Sequence, residues 1–204
     1  MRKKDEIITI GAIILAAGSS SRLGKPKQLL IFENESLLER AIRATQNANV
    51  DQFVVILGGN VDEIQSKIDL SSRKVLMNHN WSSGMASSMQ LGLRYLIENY
   101  NLEAVLLLLC DQPYTHAGVL NSIIKAYKES GKGIIASKYQ NTLGVPALFD
   151  KRYFDEMLSL KSTEGAKKII LSHVEDTVTI DFPLGAIDID TVADYEKLIH
   201  QSLN

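Results

Sequence analysis

The chain has 204 residues, of which 45% are hydrophobic and 23% charged, as in an ordinary folded protein. Its formal net charge of −2 excludes a basic field that would hold nucleic acid or an anionic membrane. A single cysteine excludes an internal disulfide, and no apolar stretch reaches the roughly 18 residues of a membrane span. Asp5 and Glu6 interrupt the signal-peptide-like N-terminus, so we expect a soluble, cytoplasmic protein. The length of the chain predicts one domain over residues 1–204.

Short β-branched runs alternate with longer amphipathic stretches along the chain. This alternation predicts βαβ units and a doubly wound, mostly parallel α/β sheet of Rossmann-like type. Residues 105–109 are apolar at every position, as expected of a central strand covered on both faces. The predicted strands are residues 7–15, 53–57, 74–77, 104–109, 133–137 and 145–149. The predicted helices are residues 36–48, 61–68, 85–100, 117–130, 151–160, 164–172 and 192–201.

Ligands of such sheets bind beyond the carboxyl ends of the strands, so the segments that follow the predicted strands are the places to look for chemistry. Each of these segments is rich in small, polar or charged residues. They are residues 16–28, 58–60, 78–84, 110–115 and 187–191.

The segment after the first strand is the richest of them, reading LAAGSSSRLGKPKQ over residues 15–28. Small residues let backbone N–H groups converge on anionic oxygens, and Arg22, Lys25 and Lys27 supply positive charge. The pattern predicts a polyphosphate site, although its glycine spacing fits neither the Walker loop nor the G-x-G-x-x-G dinucleotide fingerprint. The alternative is a solvated loop that is basic by chance.

Two acidic segments complete the candidate chemistry. Asp111 ends the most hydrophobic strand, where a carboxylate opposite a cationic loop can hold a divalent cation; the alternative is a turn or a helix cap. Its neighbour Cys110 is interpreted as buried strand filler, because no activating group is evident. Asp188 and Asp190 are predicted to share one face of a short strand, with capping of the last helix by Asp190 or Thr191 as the alternative.

The segment LAAGSSSRLGKPK resembles the signature L-A-A-G-x-S-x-R-x-G-x-x-K of the MobA-like nucleotidyltransferases, which include the molybdopterin guanylyl- and cytidylyltransferases. The resemblance implies a GT-A-like nucleotidyltransferase fold. It also implies that the loop wraps a nucleoside triphosphate, whose phosphates Arg22 and Lys27 neutralise during catalysis. The nucleotide-binding residues so implied are Leu15, Ala16, Ala17, Gly18, Ser19, Ser20, Arg22, Lys27, Gly58, Gly59, Gly84 and Met85.

Two further segments resemble elements that lie at the metal site of this family. Residues 110–113, CDQP, resemble the family's D-x-P element, whose aspartate binds the metal, which implies a catalytic, Mg²⁺-binding role for Asp111. Residues 188–195 resemble D-I-D-T-P-E-D-L. This match implies that Asp190, ahead of Asp188, lies near the same ion.

Three weaker matches concern the acceptor side of the site. Residues 78–88 resemble N-P-D-W-A-E-G-M-A-S-S, which lines the nucleobase and acceptor pocket, and residues 58–60 are expected to complete that pocket. Residues 143–149 resemble an acceptor-facing G-x-P-V-L-F element, with Val145 where a polar residue is usual. Thr163 likewise replaces an aspartate of a G-D-R-G-A-R element. The acceptor-binding residues so implied are Ser87, Ser88, Gly144 and Pro146.

The resemblance therefore implies transfer of CMP from CTP to the terminal phosphate of molybdenum-bearing molybdopterin, in support of a xanthine-dehydrogenase-type partner enzyme. The LAAG loop and the GMASS segment resemble the branch that uses CTP, whereas the guanylyl branch typically has LAGG. The alternatives are a GTP-dependent guanylyltransferase, a sugar-phosphate nucleotidyltransferase and a non-catalytic partner that inserts the cofactor. A nicotinamide-dependent reductase of the same family is a further alternative.

Overall fold

Strands and helices alternate in the computed structural model, which describes residues 8–202. The predicted start of the first strand at Ile7 lies outside these residues, and the described strand begins at Ile10. No helix in residues 8–202 is long and apolar enough to cross a membrane. The elements are β1 Ile10–Ala16, β2 Ile31–Phe32, β3 Glu35–Ser36, α1 Leu37–Gln46, β4 Gln52–Leu57, α2 Val61–Lys67, β5 Val75–Met77, α3 Met85–Asn99, β6 Ala104–Leu109, α4 Ala117–Ser130, β7 Ile134–Tyr139, β8 Thr142–Asp150, α5 Phe154–Ser159, α6 Ala166–Ser172, β9 Thr177–Asp181 and α7 Val192–Ser202.

Seven strands form one sheet in the order β5-β4-β1-β6-β8-β7-β9, and β2 pairs with β3 in a separate two-stranded ribbon. β8 runs antiparallel to both of its neighbours, and the other pairings in the large sheet are parallel. This topology confirms the predicted α/β fold with a mostly parallel sheet. Because β1, β4, β5 and β6 are parallel neighbours, the segments that follow them meet at one edge.

Helices cover both faces of the large sheet, as the uninterrupted apolar run in β6 predicts. Ile14 of β1 and Leu106 of β6 pack with α1, α2 and α4 on one face. Ile13 and Leu107 pack with α3, α5 and α6 on the other face. Successive residues of these strands therefore enter opposite halves of the core.

The structure differs from the sequence prediction at four places, of which the first is the unpredicted β2–β3 ribbon. The predicted helix over residues 151–160 begins as a 3-10 turn, Lys151–Tyr153, before α5. β9 was not predicted; it is an edge strand that pairs in parallel with β7 and is only partly buried. The predicted short strand around Asp188 and Asp190 is wrong, because a 3-10 turn over Pro183–Ala186 leads there into an irregular segment.

A third, smaller cluster joins the segment that follows β1 to the segment around α7. Leu23 and Leu30 pack against Ile189 and Leu198 of the C-terminal segment, together with Phe32. Tyr195 adds a hydrogen bond from its hydroxyl to the carbonyl of Ile31, at 2.8 Å. This packing holds the C-terminal acidic segment over the loop that follows β1.

Candidate active site

The loop after β1, residues 17–28, is called the signature loop below. Ser20 adopts a positive φ of 56°, and its Oγ accepts a hydrogen bond from the backbone N–H of Lys27 at 2.8 Å. The carbonyl of Ser20 accepts a second hydrogen bond, from the N–H of Leu23 at 2.9 Å. These contacts close the loop on itself and return Lys27 toward the end of β1.

The buried side chain of Gln28 holds the backbone at the beginning of the signature loop by hydrogen bonds. Its side chain is 0% exposed, and its Nε2 donates to the carbonyls of Ala16, at 2.6 Å, and Gly18, at 3.1 Å. Sequence analysis missed Gln28. The only signal for it was a neutral amide immediately before the apolar pair Leu29 and Leu30.

Lys27 joins the loop to the two acidic segments. Its Nζ lies 2.6 Å from Asp111 Oδ2 and 3.0 Å from Asp190 Oδ1. Burial on its own would lower the pKa of Lys27, but the attraction and hydrogen bond of Asp111, assisted by Asp190, raise it well above the ordinary lysine value. The ammonium group is therefore a fixed positive charge between two carboxylates.

Asp111 lies just beyond β6, with its side chain largely buried. Its backbone carbonyl accepts a hydrogen bond from the N–H of Ile189 at 3.1 Å, which connects the two acidic segments. The neighbouring Cys110 is buried, and burial raises the pKa of its thiol to about 12. Cys110 is therefore a packing residue, as interpreted from the sequence, and not an activated nucleophile.

Asp190 is available to the site because a different residue caps α7. The hydroxyl of Thr191 accepts from the N–H of Asp194 at 3.2 Å, and Asp194 accepts in return from the N–H of Thr191 at 2.8 Å. Asp190 instead contacts Lys27 and, at 2.9 Å, Arg22. The hydrogen bond from Lys27 lowers the pKa of the Asp190 carboxyl, so this group is ionised.

Two concave regions adjoin Lys27. The first is a mainly apolar cavity of about 240 Å³, lined by Leu15, Ala16, Ala17, Gly18, Lys27, Gln28, Trp81, Gly84, Met85, Ser88, Leu109, Cys110 and Asp111. The second, the polar cleft, has a volume of about 200 Å³ and is lined by residues 18–23, Lys27 and Asp190. Lys27 and Gly18 line both, so the cavity and the cleft meet at the ammonium group and at the loop glycine.

Most of the predicted nucleotide-binding residues line one of these two regions, but Gly58 and Gly59 lie behind the signature loop. The N–H of Gly59 donates to the carbonyl of Ala17 at 3.1 Å. A Cβ at Gly58 would lie 2.6 Å from the same carbonyl and 2.6 Å from Trp81 Cβ. The wall that the sequence assigned to residues 58–60 is formed by Trp81, which packs over Gly58.

Gly84 occupies a backbone conformation that only glycine adopts easily. Its φ is 129° and its ψ is 170°, and a Cβ would collide with the backbone carbonyl of Ser162. This contact joins the start of α3, with the cavity residue Met85, to the segment before α6.

We expect Gly84→Ala to destabilise the protein, because the methyl group meets backbone that cannot rotate away. The backbone conformation alone accounts for about 1–3 kcal/mol of unfolding free energy. The measurement is chemical denaturation of both proteins, with Gly165→Ala as the control, since a Cβ at Gly165 meets no atom within 4 Å. Equal midpoints for Gly84→Ala and the unchanged protein would contradict the expected strain.

The predicted acceptor residues Ser87 and Ser88 are organised by a side chain that the sequence did not single out. Asn78 Nδ2 donates to both hydroxyl oxygens at 2.8 Å. Ser87 also donates to the carbonyl of Gly84 at 2.8 Å, whereas the buried Ser88 lines the cavity. Ser88 is thus the member of the pair that a ligand in the cavity can reach.

Gly144 and Pro146, the other predicted acceptor residues, are buried within β8, away from the cavity lining. A Cβ at Gly144 would collide with the hydroxyl of Tyr139, and the carbonyl of Pro146 accepts from Ser137 Oγ at 2.6 Å. Their closest link to the site is Gln112, which donates to the carbonyl of Val145 at 3.0 Å. The structure therefore gives both residues packing contacts and does not bring them to the cavity.

The acidic pair offers ligands for a divalent cation. Asp111 Oδ1 is buried and has no hydrogen-bond partner among the described residues, so one carboxylate oxygen is unsatisfied. Burial, together with the charges of Asp111 and Asp190, raises the pKa of Asp188, as expected for a third acid near the pair. Within residues 8–202 no three Asp, Glu, His or Cys side chains form a ready metal site. Phosphate oxygens and water would therefore complete the coordination, as Mg²⁺ commonly requires.

Several named bacterial proteins are similar in sequence to this chain over most of its length. The nicotine blue oxidoreductase of Paenarthrobacter nicotinovorans is 25% identical over 202 residues, which are 93% of this chain and 96% of that protein. The purine catabolism protein PucB of Bacillus subtilis is 23% identical over 91% of this chain and 94% of its own. A probable molybdenum cofactor guanylyltransferase of Geobacillus is 22% identical, covering 80% of this chain and 82% of its own.

Solved structures agree in fold and in length. The crystal structure of Rv0371c from Mycobacterium tuberculosis has a TM-score of 0.82 and 27% identity, covering 95% of this chain and 98% of its own. A structure of the same protein in complex with manganese has a TM-score of 0.78 and 25% identity, covering 94% and 98%. The likeness therefore extends over the large sheet and its helices.

The family model of the MobA-like NTP transferase domain matches residues 12–177, from β1 into β9. The match includes the signature loop, the segment that opens α3 and the acidic end of β6. The chain belongs to the MobA-like NTP transferase domain family and is a nucleotidyltransferase.

Proposed function

We propose that the protein transfers CMP from CTP to the terminal phosphate of molybdenum-bearing molybdopterin and releases pyrophosphate. The observation that carries this proposal is the position of Lys27 Nζ, 2.6 Å from Asp111 and 3.0 Å from Asp190 where the cavity and the cleft meet. An α-phosphorus at that junction has an apolar cavity for the base on one side and a cationic cleft for its other phosphates. The ammonium group of Lys27 would then lie next to both the nucleoside and the pyrophosphate leaving group.

The triphosphate belongs in the polar cleft in this proposal. Ser19, Ser20 and Gly18 line the cleft with small residues, and the exposed side chain of Arg22 adds a positive charge at the surface. Because its contact with Asp190 is largely exposed, Arg22 can exchange that carboxylate for a phosphate at little cost. Lys27 remains at the junction, where negative charge builds up as pyrophosphate leaves.

Asp111 and Asp190 are the residues that would hold a divalent ion, with Asp111 offering its unsatisfied oxygen. Bound there, the ion would act as a Lewis acid that neutralises phosphate charge. The mycobacterial relative has been solved in complex with manganese, which supports the use of a divalent ion, and Mg²⁺ is the ion proposed for this protein. Lys27 shares both carboxylates and fixes their spacing by its hydrogen bonds.

A phosphate acceptor removes the need for a general base. The second pKa of a phosphate monoester is about 6, so the nucleophilic oxygen is already ionised at neutral pH. The new bond joins that oxygen to the α-phosphorus, while the bond between the α-phosphorus and the bridging oxygen of pyrophosphate breaks. Positioning and charge neutralisation then supply the catalysis, in keeping with a site that contains a lysine and carboxylates.

The names of two relatives support the acceptor and the proposed partner. The Geobacillus relative is named as a probable molybdenum cofactor guanylyltransferase, and the Bacillus subtilis relative as a purine catabolism protein. A molybdopterin acceptor fits both names when the product serves a xanthine-dehydrogenase-type enzyme. The cytoplasmic location and the single-domain organisation expected from the sequence stay predictions.

An oxidoreductase is the second candidate, because the Paenarthrobacter relative carries that name and aligns over 93% of this chain. A nicotinamide dinucleotide could place its pyrophosphate in the polar cleft and one of its rings in the cavity. Against this candidate, the chain lacks the G-x-G-x-x-G fingerprint, and hydride transfer does not require the cation site proposed at Asp111 and Asp190. A cofactor-insertion partner without catalytic activity is disfavoured by the same groups.

The deciding experiment supplies the purified protein with α-labelled CTP, GTP or UTP, Mg²⁺ or Mn²⁺, and molybdenum cofactor. We expect release of pyrophosphate and transfer of label to the cofactor, fastest with CTP. Parallel reactions contain glucose 1-phosphate as the acceptor, or NADH or NADPH without a triphosphate. Transfer to the sugar phosphate would replace the acceptor, and oxidation of the reduced dinucleotide without triphosphate turnover would overturn the proposal in favour of the oxidoreductase.

We also expect the cavity to prefer the pyrimidine of CTP over the purine of GTP. Ala17 packs in the half of the core that contains Ala86 and Met89 of α3, whereas the methyl group of Ala16 packs in the opposite half, so of the two alanines we expect Ala17 to restrict ring size. A methyl-sized difference discriminates by roughly 1–3 kcal/mol, and Ala17→Gly should narrow the gap. The measurement is kcat/KM for both nucleotides, and GTP used as well as CTP by the unchanged protein would contradict the preference.

A further inference from the structure

Gln28 combines complete burial with a position in the wall of the cavity. Its side chain is 0% exposed, yet it is one of the residues that line the cavity beside Trp81 and Ser88. A neutral amide in such a place has to satisfy both of its polar ends without water. The nitrogen of the Gln28 amide has hydrogen-bond partners, whereas its oxygen has none among the described residues.

The nitrogen of the amide is fully used by the protein. Nε2 donates to the carbonyls of Ala16 and Gly18, at 2.6 and 3.1 Å. Because an amide oxygen cannot donate to carbonyls, these two contacts fix the orientation of the group. The remaining polar atom, Oε1, can only accept a hydrogen bond.

That oxygen has no hydrogen-bond partner within the part of the chain that the structure describes. A buried acceptor without a donor is unfavourable, and natural proteins retain such groups where a ligand completes them. Because Gln28 lines the cavity, the molecule that occupies the cavity can supply the donor that completes Gln28. A nucleobase that carries an amine on its pairing edge supplies such a donor.

We propose that Gln28 is a specificity-determining residue that accepts a hydrogen bond from the exocyclic amine of the bound nucleobase. The inference rests on the proposed function, in which the cavity holds the base of the nucleoside triphosphate. The N4 amine of cytosine satisfies Gln28 Oε1, whereas uracil presents a carbonyl oxygen at the same position. The residue thus selects CTP over UTP, a choice that ring size cannot make.

A purely structural role for Gln28 makes a different prediction. If the residue only held the carbonyls of Ala16 and Gly18, its replacement would weaken the binding of CTP and UTP equally. If its oxygen accepts from the base, replacement lowers the CTP-to-UTP ratio itself. Gln90 provides a matched control, because its Nε2 also bridges backbone carbonyls, those of Leu158 and Leu160 at 3.0 and 2.8 Å, outside the cavity lining.

The experiment measures dissociation constants by fluorescence of Trp81, the single tryptophan, and by equilibrium dialysis. The ligands are CTP, UTP and the triphosphate of 2-pyrimidinone riboside, in which hydrogen replaces the N4 amine. We expect the unchanged protein to bind CTP at least about tenfold more tightly than either of the others. Gln28→Met should bring the three constants to within about twofold, and Gln90→Met should leave the ratios unchanged.

The analogue keeps the inference testable if Gln28→Met fails to fold, because that comparison uses the unchanged protein. Equal binding of CTP and the analogue, or an unchanged ratio in a folded Gln28→Met, would overturn the role of Gln28 while leaving the nucleotidyltransferase intact. Binding of none of the three nucleotides would overturn the proposed use of CTP as well.

Discussion

Replacing Asp111 by asparagine is expected to lower kcat for pyrophosphate release at least about 100-fold, the scale seen when one preorganised electrostatic group is removed from an active site. The amide keeps the shape of the side chain but removes the charge that faces Lys27 at 2.6 Å and the oxygen that is unsatisfied in the structure. Turnover is measured with limiting Mg²⁺, where a weakened cation site has its largest effect. Circular dichroism and thermal unfolding establish that the variant is folded.

Asp188→Asn is the matched control for this experiment. Asp188 lies close enough to Asp111 and Asp190 for their charges, together with burial, to raise its pKa, yet the ion pairs of Lys27 are to Asp111 and Asp190 and not to Asp188. We expect its replacement to change kcat by less than about threefold, within the range of an exposed charge pair. A folded Asp111→Asn with near-normal turnover at limiting Mg²⁺ would remove Asp111 from the site.

The central strands were predictable because their residues leave few alternatives. In β6 every position is apolar, and a strand of this kind is stable only between two layers of helices. β9 escaped prediction although Val178 and Ile180 alternate with polar residues, because it is short, partly buried and paired on one side with β7. Its place in the sheet is decided by β7, which is distant in sequence, and not by its own pattern.

The candidate site was predictable as far as the ends of the strands determine it. Asp111 and the signature loop follow neighbouring parallel strands, β6 and β1, so their meeting follows from the topology. The approach of Asp190 depends on α7 packing against the loop through Leu198 and Ile189, and only the family resemblance indicated that contact. The hydrogen bond from Lys27 to Ser20 that closes the loop has no sequence signal beyond a serine.

The direction in which a side chain points was the least predictable feature. Ala16 and Ala17 are adjacent, yet their methyl groups enter opposite halves of the core because side chains alternate along an extended backbone. Gly144 was expected to face an acceptor, but the hydroxyl of Tyr139 fills the space beside it. Gln28 was missed because nothing in its local sequence shows that its amide bridges two loop carbonyls.

Lys27 occupies the position between Asp111 and Asp190 that a divalent cation would also be attracted to. Two unit positive charges about 4 Å apart repel by about 4 kcal/mol at the effective dielectric constant of a protein surface, and the double charge of a divalent ion raises this to about 8 kcal/mol. Cation binding therefore requires either that Lys27 move toward the triphosphate or that negative phosphates compensate for the added charge. Metal and nucleotide should accordingly bind with positive cooperativity.

Lys27→Ala is expected to separate the two roles of this side chain. Without nucleotide, Mn²⁺ should bind the variant at least about tenfold more tightly, because the competing ammonium is gone from the acidic pair. With CTP and acceptor, kcat should fall at least about 100-fold while the KM for CTP changes little, because the lysine charge matters most as pyrophosphate departs. Mn²⁺ binding is followed by electron paramagnetic resonance and turnover by pyrophosphate release.

Lys25→Ala is the control for Lys27→Ala, since Lys25 is an exposed lysine of the same loop whose ammonium lies over the ring of Tyr195, 5.3 Å from its centroid. We expect this variant to leave both Mn²⁺ affinity and kcat nearly unchanged. Unchanged Mn²⁺ affinity in Lys27→Ala would show that the ammonium does not compete for the acidic pair. An unchanged kcat with a raised KM would instead make Lys27 a binding contact for the ground-state triphosphate, because the interaction lost would be equally strong in the substrate complex and the transition state.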